Sequence, residues 1–364
     1  MTWTDNLSGD PLPWLLGEEC PAVRAAALQR LCDRPVDDAE VVAARGAAMR
    51  AEPIRSILGA QDPEGWWVKP GAGYSPKYTG TVWEVIFLDQ LGANPADPRV
   101  QRACDYVLSH TLAASGGFGC AAVKGGGAPS PSRVLHCLNG NLVRALIGLG
   151  WWGDPRLRAA VDWAAQAITG EGGPGYHRSG TSGPAFACSS NGGNPCAWGA
   201  VKELRGLVRV PPSERTDSVR IAIDRGVEFL LSRDPAVADY PTAHAGEKPS
   251  ASWFEPGFPS GYVTDVLENL EVLAELGHAR DARLAGALGW VASQQDRGRW
   301  TNQRAYNGKT VVEFERQGQP SKWVTLSACS VLKAAWQWER LTAGPSSPAE
   351  PASVPRSGPG ERAG

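Results

Sequence analysis

The sequence predicts an all-α protein in which about six helix pairs pack side by side and close into a ring. Three observations support this class. Amphipathic segments recur about every 60 residues, more apolar helices lie between them, and glycine-rich stretches separate the pairs. Helix pairs that repeat bury their shared face by stacking on the next pair, and a sufficiently long stack can close on itself.

The recurring segments are predicted to be the outer helices of the ring. They align without gaps and carry apolar residues at helical spacing. Three of them follow an Asp-x-Arg triplet, and Asp is a favoured N-cap residue. In two triplets Pro follows Asp, at the first helical position, where Pro is tolerated. The four segments start at Val100, Leu157, Val219 and Leu284, and the triplets start at Asp97, Asp154 and Asp281.

The apolar segments between them are predicted to be the inner helices. These segments end in short turns such as Leu91-Gly92 and Leu149-Gly150, where Gly can take the left-handed conformation that terminates a helix. A short turn then leads to the next outer helix, and a long loop leads back to the next inner helix. The predicted inner helices cover residues 81–91, 138–149, 197–208, 262–276 and 323–338.

We expect one domain with two additions. Residues 1–50 predict an N-terminal helical extension packed on the ring, and residues 51–341 predict the ring itself. Residues 342–364 are rich in Pro, Ser, Gly and Ala, a composition typical of disordered tails.

Composition and charge exclude several classes of protein. The 364 residues carry a net charge of −2, so nothing suggests binding to nucleic acid or to an anionic membrane surface. No apolar run approaches the roughly 18 residues that cross a bilayer, and the first residues lack the layout of a signal peptide. We therefore expect a cytoplasmic protein whose eight cysteines are free thiols or metal ligands rather than disulfides.

A glycine followed by an aromatic residue marks the end of the outer helices. The first and last of these signatures resemble the Gln…Gly-x-Trp repeat of squalene and hopene cyclases and the related repeats of protein prenyltransferase β subunits. The resemblance covers roughly residues 55–340 and implies the α/α toroid of the terpenoid cyclases. The signatures are Gln61-Asp62-Pro63-Glu64-Gly65-Trp66, Gly116-Gly117-Phe118, Gly172-Gly173-Pro174-Gly175-Tyr176 and Gln294-Gln295-Asp296-Arg297-Gly298-Arg299-Trp300.

The catalytic motifs of those families do not accompany the repeat. The Asp-x-Asp-Asp motif with which class II terpene cyclases protonate their substrate is absent, and Val36-Asp37-Asp38 is the nearest string. The Asp-rich diphosphate-binding motif of class I cyclases is also absent. The resemblance therefore implies a fold, and no catalytic residue is carried over from it.

Four cysteines lie in two consecutive loops that the repeat places at the same end of the ring. Cys120 and Cys137 belong to the first loop, with His136 beside the second thiol, and Cys188 and Cys196 belong to the next loop. Cys137 and Cys196 come just before an inner helix, where the helix dipole favours thiolate. Because zinc binds thiolates and imidazoles tetrahedrally, these cysteines predict a zinc site. The alternative is that small thiols fill gaps in glycine-rich loops.

Candidate acids come from the next loop and helix start. Asp265 lies in the first turn of the predicted inner helix 262–276, where burial would raise its pKa and suit a general acid. The alternative is a helix-start Asp satisfied by backbone N–H groups. His244 and Glu255 in the preceding loop are further candidates, His244 as a proton relay.

Aromatic and basic residues are predicted to surround the mouth of the ring. Aromatic faces stabilise carbocations and bind polyenes, at about 0.5 to 2 kcal/mol per contact, although Trp at repeat junctions is also ordinary packing. Basic residues near helix N-termini can clamp a diphosphate or a carboxylate. The predicted substrate-binding residues are Trp66, Trp67, Tyr78, Trp83, Trp253, Tyr262, Arg304, Tyr306, Lys322 and Trp323.

Three functions remain open on these residues. The first is an enzyme that cyclises or rearranges an isoprenoid in an aromatic cavity. The second is a zinc-dependent, thiolate-activating transferase or peptide-modifying cyclase, by analogy with protein prenyltransferases and lanthipeptide cyclases. The third is a binding scaffold without catalysis. A helical partner subunit, as in prenyltransferases, is compatible with each of them.

Overall fold

The computed structural model describes residues 3–124, 127–171, 182–243 and 248–342, except the side chains of residues 5, 6 and 337–342. Within these ranges the regular secondary structure is helical apart from one short antiparallel pair of strands, β1 (Trp300–Thr301) and β2 (Pro320–Ser321), and long loops connect the helices. The helices are α1 (Leu12–Leu15), α2 (Pro21–Arg30), α3 (Ala39–Ala48), α4 (Ile54–Gly59), α5 (Thr81–Gln90), α6 (Pro98–His110), α7 (His136–Gly148), α8 (Pro155–Thr169), α9 (Ala197–Leu207), α10 (Asp217–Leu231), α11 (Val266–Glu275), α12 (Ala285–Ser293) and α13 (Lys322–Thr342).

The helices form the predicted α/α toroid. Helix α5 contacts α7, α7 contacts α9, α9 contacts α11, α11 contacts α13, and α13 contacts α2. These six are the inner helices. Five of them pack on an outer partner, in the pairs α2–α3, α5–α6, α7–α8, α9–α10 and α11–α12. Burial follows this division, because eight consecutive side chains of α5 are buried whereas α10 buries only one face. The fold class predicted from the repeat is therefore confirmed.

The predicted helix caps are confirmed. The side chains of Asp97 and Asp154 accept hydrogen bonds from the backbone N–H groups of Arg99 and Arg156, and the corresponding Arg guanidinium groups contact the same carboxylates. Asp281 caps a short 3-10 turn before α12 in the same way. These caps fix where the outer helices begin.

The aromatic residue of the first glycine signature is Trp67 rather than Trp66. The Trp67 indole is 1% exposed and donates from Nε1 to Ile57 O at 2.8 Å. The Trp300 indole repeats this arrangement and donates to Val291 O at 2.8 Å. Trp66 is half-buried, and its Nε1 lies 3.4 Å from the Glu64 carboxylate. The spacing Gly65-x-Trp67 matches Gly298-x-Trp300. The aromatic residue of the first signature was therefore predicted one position too early, at Trp66.

Two inner helices, α7 and α9, pack with their backbones almost touching. A Cβ at Gly140 of α7 would lie 2.2 Å from the carbonyl carbon of Lys202, and a Cβ at Gly206 of α9 would lie 2.9 Å from Gly140 O. Only glycine permits this approach. The close contact holds the N-terminal ends of α7 and α9 together, where His136, Cys137 and Cys196 lie.

Helix α11 begins later than the sequence predicts. The predicted helix 262–276 is Val266–Glu275, with Asp265 as its N-cap, so Tyr262 lies in the loop before it. The Asp265 carboxylate accepts from the Glu268 N–H at 2.9 Å, and this cap fixes the start of α11.

The N-terminal region contributes the helix pair α2–α3 to the ring, and α2 contacts α13. Arg30 of α2 forms an ion pair with Glu271 of α11 at 2.6 Å. The boundary at residue 50 stays a prediction, and residues 343–364 of the predicted tail lie outside the described ranges. Among the helices that the structure describes, none has the length and apolar character needed to cross a membrane.

Candidate functional site

A cavity of about 500 Å³, called here the large pocket, opens where the loops meet the N-terminal ends of α7 and α9. Its volume lies within the usual range of small-molecule sites. The long loops thus meet at one end of the ring, as the repeat predicts. The pocket is lined by Tyr74, Lys77, Leu135, His136, Cys137, Ser182, Cys188, Ser190, Asn191, Cys196, Ala197, Trp198, Gly199, Ala238, Tyr240, Pro241, Thr242, Ala243, Lys248, Pro249, Ser250, Trp253 and Tyr262.

Aromatic rings supply much of the pocket wall. Trp253 and Tyr240 pack at 5.2 Å between ring centroids, and Trp198 lies 6.5 Å from Tyr262 in an edge-on arrangement. Two lysines, Lys77 and Lys248, are exposed at the lining. The Lys77 ammonium lies 4.5 Å from the Tyr262 ring centroid, a cation–π contact. None of the described residues that line this pocket is acidic.

A second layer of aromatic residues supports that wall. Tyr78 stacks on Tyr306 at 4.2 Å and lies 5.0 Å from Trp83. Trp83 is 1% exposed and donates from Nε1 to Tyr74 O at 2.8 Å. These predicted substrate-binding residues therefore stand behind Tyr74 and Tyr262 rather than in the lining itself.

Three of the four predicted metal-binding thiols line the large pocket. The Cys196 thiol donates a hydrogen bond to Cys188, and this bond together with nearby N–H groups lowers the pKa of Cys188 to about 6. Burial raises the pKa of Cys137 to about 12. Cys120 is not part of the lining, although it lies close enough to Tyr74 to affect the pKa of its hydroxyl.

The imidazole of His136 is held between two buried groups. Nδ1 lies 3.1 Å from the Glu203 carboxylate, and Nε2 lies 2.9 Å from Gly183 O. A carbonyl oxygen only accepts, so Nε2 carries a proton and donates to it. Asn139 donates to the same carboxylate at 3.2 Å. His136 is therefore fixed in orientation, and both of its ring nitrogens are engaged within the protein.

The predicted zinc site gains no support from the geometry. Across the described ranges, no group of three His, Cys, Asp or Glu side chains is arranged to hold a metal ion. Of the candidate ligands, Cys137, Cys188 and Cys196 share a pocket, whereas Cys120 lies apart from its lining. Zinc binding stays a prediction.

A second cavity, called here the central cavity, holds about 70 Å³ and shares no lining residue with the large pocket. Charged groups from several inner helices surround it. Lys202 Nζ lies 2.5 Å from the Glu268 carboxylate, and Arg205 contacts the other oxygen of that carboxylate at 2.6 Å. Burial works to raise the pKa of Glu268, but Lys202 and Arg205 outweigh it and lower that pKa to about 2. The middle of the ring is therefore polar.

Asp265 faces this central cavity and not the large pocket. Burial, together with the neighbouring Glu268 carboxylate, raises the pKa of Asp265 to about 6. Arg304 lies 3.6 Å from its second oxygen, and Trp323 lines the same cavity. A raised pKa suits a general acid, but the cavity has room only for a few water molecules. The role of Asp265 as an acid stays a prediction.

The remaining predicted site residues are scattered. Lys322 donates to the Glu19 carboxylate at 2.5 Å and to Trp14 O, so its ammonium group is engaged within the protein. Glu255 is half-buried and lines neither of the two cavities. His244 lies outside the described residues. Of the predicted aromatic residues, Trp253 and Tyr262 are the two that line the large pocket.

The sequence reasoning missed several lining residues. Tyr74 and Lys77 lie in the glycine-rich loop before α5, and Tyr240 lies in the loop after α10. Trp198 is the second residue of α9, two positions after Cys196. Trp198 could have been predicted, because it lies at the start of an inner helix, the position from which Cys137 and Asp265 were selected.

Comparison with known proteins leaves the family open. No protein-family model matches the chain, and no curated protein matches it. Among solved structures, the type II terpene cyclase MstE from Scytonema is 16% identical with a TM-score of 0.44, covering 87% of this chain and 88% of that one. An unsaturated glucuronyl hydrolase specific for heparin is 9% identical with a TM-score of 0.47, covering 88% and 86%.

A variant of MstE in complex with its substrate, geranylgeranyl dihydroxybenzoate, is 15% identical with a TM-score of 0.29, covering 80% of this chain and 97% of that one. At these identities and TM-scores the comparisons carry no argument about activity. The assignment of the ring fold rests on the helix contacts described above.

Proposed function

We propose that this chain is an enzyme that cyclises or rearranges an isoprenoid bound in the large pocket. One observation carries the proposal: five tyrosine and tryptophan rings, from the loop before α5, from α9 and from the segment between α10 and α11, line one cavity of about 500 Å³ together with two lysines. Aromatic faces favour an unsaturated apolar chain and a developing carbocation, at about 0.5 to 2 kcal/mol per contact. Lys77 and Lys248 suit an anionic group at the end of that chain.

The arrangement of charges favours one way of forming the cation. Asp265 faces the central cavity, and no described residue of the large-pocket lining is acidic. Loss of an anionic leaving group held by the two lysines fits this lining better than protonation by Asp265. The substrate class that follows is an allylic isoprenoid carrying a diphosphate, with the aromatic wall around its hydrocarbon chain.

Ligand binding tests the proposal directly. We expect farnesyl diphosphate to bind about five- to tenfold more tightly than farnesol by calorimetry, since the lysines add roughly 1 kcal/mol through exposed charge contacts. The double variant Lys77→Ala/Lys248→Ala removes this difference and leaves farnesol binding unchanged. The matched control is Lys124→Ala/Lys309→Ala, two exposed lysines outside the lining, which keeps it.

Two further measurements complete the test. Incubation of farnesyl diphosphate with the wild-type chain is expected to release diphosphate and give a rearranged or cyclic hydrocarbon, detected by gas chromatography. Trp198→Ala lowers the affinity for both farnesyl ligands because it removes part of the wall. Absence of binding at millimolar ligand, or equal affinity of the lysine double variant, contradicts the proposal.

The zinc-dependent alternative is favoured by a different observation, the three thiols in the same wall. Elemental mass spectrometry of the purified, tag-free protein decides it. About one zinc per chain, lost in a Cys188→Ser/Cys196→Ser variant that remains folded, supports a thiolate-activating metal site. A metal-free protein with full ligand binding leaves the isoprenoid proposal standing.

A further inference from the structure

Two thiols of the large pocket lie on the same face of a short antiparallel ladder. The Cys188 N–H donates to Asn194 O at 3.1 Å, and the Cys196 N–H donates to Phe186 O at 2.9 Å. Cys196 comes two residues after Asn194, the residue opposite Cys188. Because alternate residues of an extended strand share a face, Cys188 and Cys196 are diagonal neighbours on one face. Both line the pocket.

The two side chains of this pair are close enough for each thiol to shift the pKa of the other. Both residues are half-buried and border an open cavity, which gives a small oxidant access. The third pocket thiol, Cys137, belongs to α7 and not to this ladder.

The chain between the two cysteines forms a tight turn that Asn191 and Asn194 hold by side-chain hydrogen bonds. It turns through Gly192 and Gly193, both with positive φ, a conformation that glycine adopts without strain. A disulfide requires a sulfur–sulfur distance of about 2.05 Å, so the hydrogen-bonded sulfurs must move closer.

We propose that Cys188 and Cys196 form a reversible dithiol–disulfide pair in the wall of the large pocket, with a hydroperoxide as oxidant and a dithiol as reductant. The Cys188 thiolate attacks the peroxide, forming a sulfur–oxygen bond and releasing the alcohol or water. The Cys196 sulfur then attacks the sulfenic acid, the sulfur–oxygen bond breaks, and water leaves. The pair loses two electrons and two protons, and the peroxide gains both.

Oxidation alters the pocket itself, because both sulfurs line it. The disulfide removes both thiol groups from the lining. A bound ligand therefore distinguishes the two forms. This inference concerns the pocket wall and holds whichever substrate the pocket takes.

The experiment uses the reduced full-length protein treated with one to a few equivalents of hydrogen peroxide, then alkylated with N-ethylmaleimide and mapped by mass spectrometry. The expected product has lost about 2 Da, the mass of the two thiol hydrogens that leave when one disulfide forms. The linked peptides contain Cys188 and Cys196, and dithiothreitol restores both thiols.

Variants assign the order of steps. In Cys196→Ser the sulfenic acid at Cys188 has no resolving thiol, so trapping with dimedone increases severalfold at that residue. Cys120→Ser, outside the pocket lining, serves as the control and forms the same disulfide as the wild type. Circular dichroism of each variant confirms folding.

Three results overturn the proposal. The first is a disulfide from Cys188 to Cys137 in place of Cys196. The second is no disulfide in folded wild-type protein, with both thiols alkylated after peroxide. The third is a Cys188–Cys196 bond that forms only in denaturant. Because the readout is mass and thiol content, failure of the isoprenoid proposal leaves this test unaffected.

Discussion

Replacing Glu268 by Gln is expected to lower the free energy of unfolding by about 3–5 kcal/mol, the usual cost of breaking a buried ion pair by removing one partner. The Glu268 carboxylate accepts from Lys202 at 2.5 Å and from Arg205 at 2.6 Å, and Ser260 donates to it at 2.9 Å. Lys202 is fully buried, so the neutral amide would leave its ammonium without a counter-charge.

Urea denaturation of the full chain measures this loss. The matched control is Glu214→Gln, which removes an exposed ion pair with Arg158 at 2.8 Å and is expected to change stability by less than about 1 kcal/mol. The double variant Lys202→Met/Glu268→Gln removes the orphaned ammonium and recovers part of the loss. A loss below about 1 kcal/mol in Glu268→Gln would show that water reaches this carboxylate and screens the pair.

The stabilisation contributed by the Glu268 carboxylate depends on pH in a direction that follows from its pKa. The pKa of Glu268 in the folded protein, about 2, lies below its ordinary value of 4.5. A lowered carboxyl pKa contributes stability that is fully present above the ordinary value. The advantage of the wild type over Glu268→Gln is therefore expected to decline as the pH falls from 5 toward 2, and also as the pH rises through about 8, where Lys202 loses its proton.

The ring could be predicted because the signals that mark the ends of its helices are local in the sequence. The Asp-x-Arg caps at Asp97 and Asp154 depend on residues two positions apart, and the turn at Gly92 depends on one residue. Such signals need no knowledge of the rest of the fold. The start of α11 was misplaced by four residues because the apolar pattern continues through Tyr262, and only the Asp265 cap marks the true boundary.

The interior of the ring could not be predicted in the same way. Lys202 and Glu268 are 66 residues apart in the sequence, and each lies in a helix that reads as mostly apolar. Neither helix sequence indicates that these two charged side chains form a pair. The predicted aromatic residues and the predicted acid Asp265 therefore fall into different cavities, an aromatic pocket and a separate charged cavity.

The candidate site was predicted in part for a similar reason. Cys137 and Cys196 were selected by their place before inner helices and Cys188 by its place in the same loop as Cys196, and all three line one pocket. Tyr74 and Tyr240 lie in loops whose course depends on glycine turns and on contacts distant in sequence. Loop residues of this kind reach a site through the three-dimensional fold, and no periodicity marks them.

Replacing Glu84 by Gln is expected to stabilise the protein, increasingly as the pH rises. Glu84 is fully buried on α5, and neither carboxylate oxygen has a hydrogen-bond partner. Burial raises its pKa to about 8, from an ordinary value of 4.5. The folded protein therefore keeps the proton over a range in which the unfolded chain releases it. A raised carboxyl pKa therefore lowers the stability of the folded protein progressively as the pH rises from 4.5 to 8.

Denaturant unfolding at pH 5, 6.5 and 8 tests this expectation. Gln has the shape of the protonated acid and cannot ionise, so the gain of Glu84→Gln over the wild type should be small at pH 5 and larger by about 3 kcal/mol at pH 8, at about 1.4 kcal/mol per pKa unit. Glu228→Gln, at an exposed carboxylate on α10, should give a difference that is flat with pH. A flat difference for Glu84→Gln as well would mean that this carboxylate is hydrated in the folded protein, because only desolvation separates its pKa from the ordinary value.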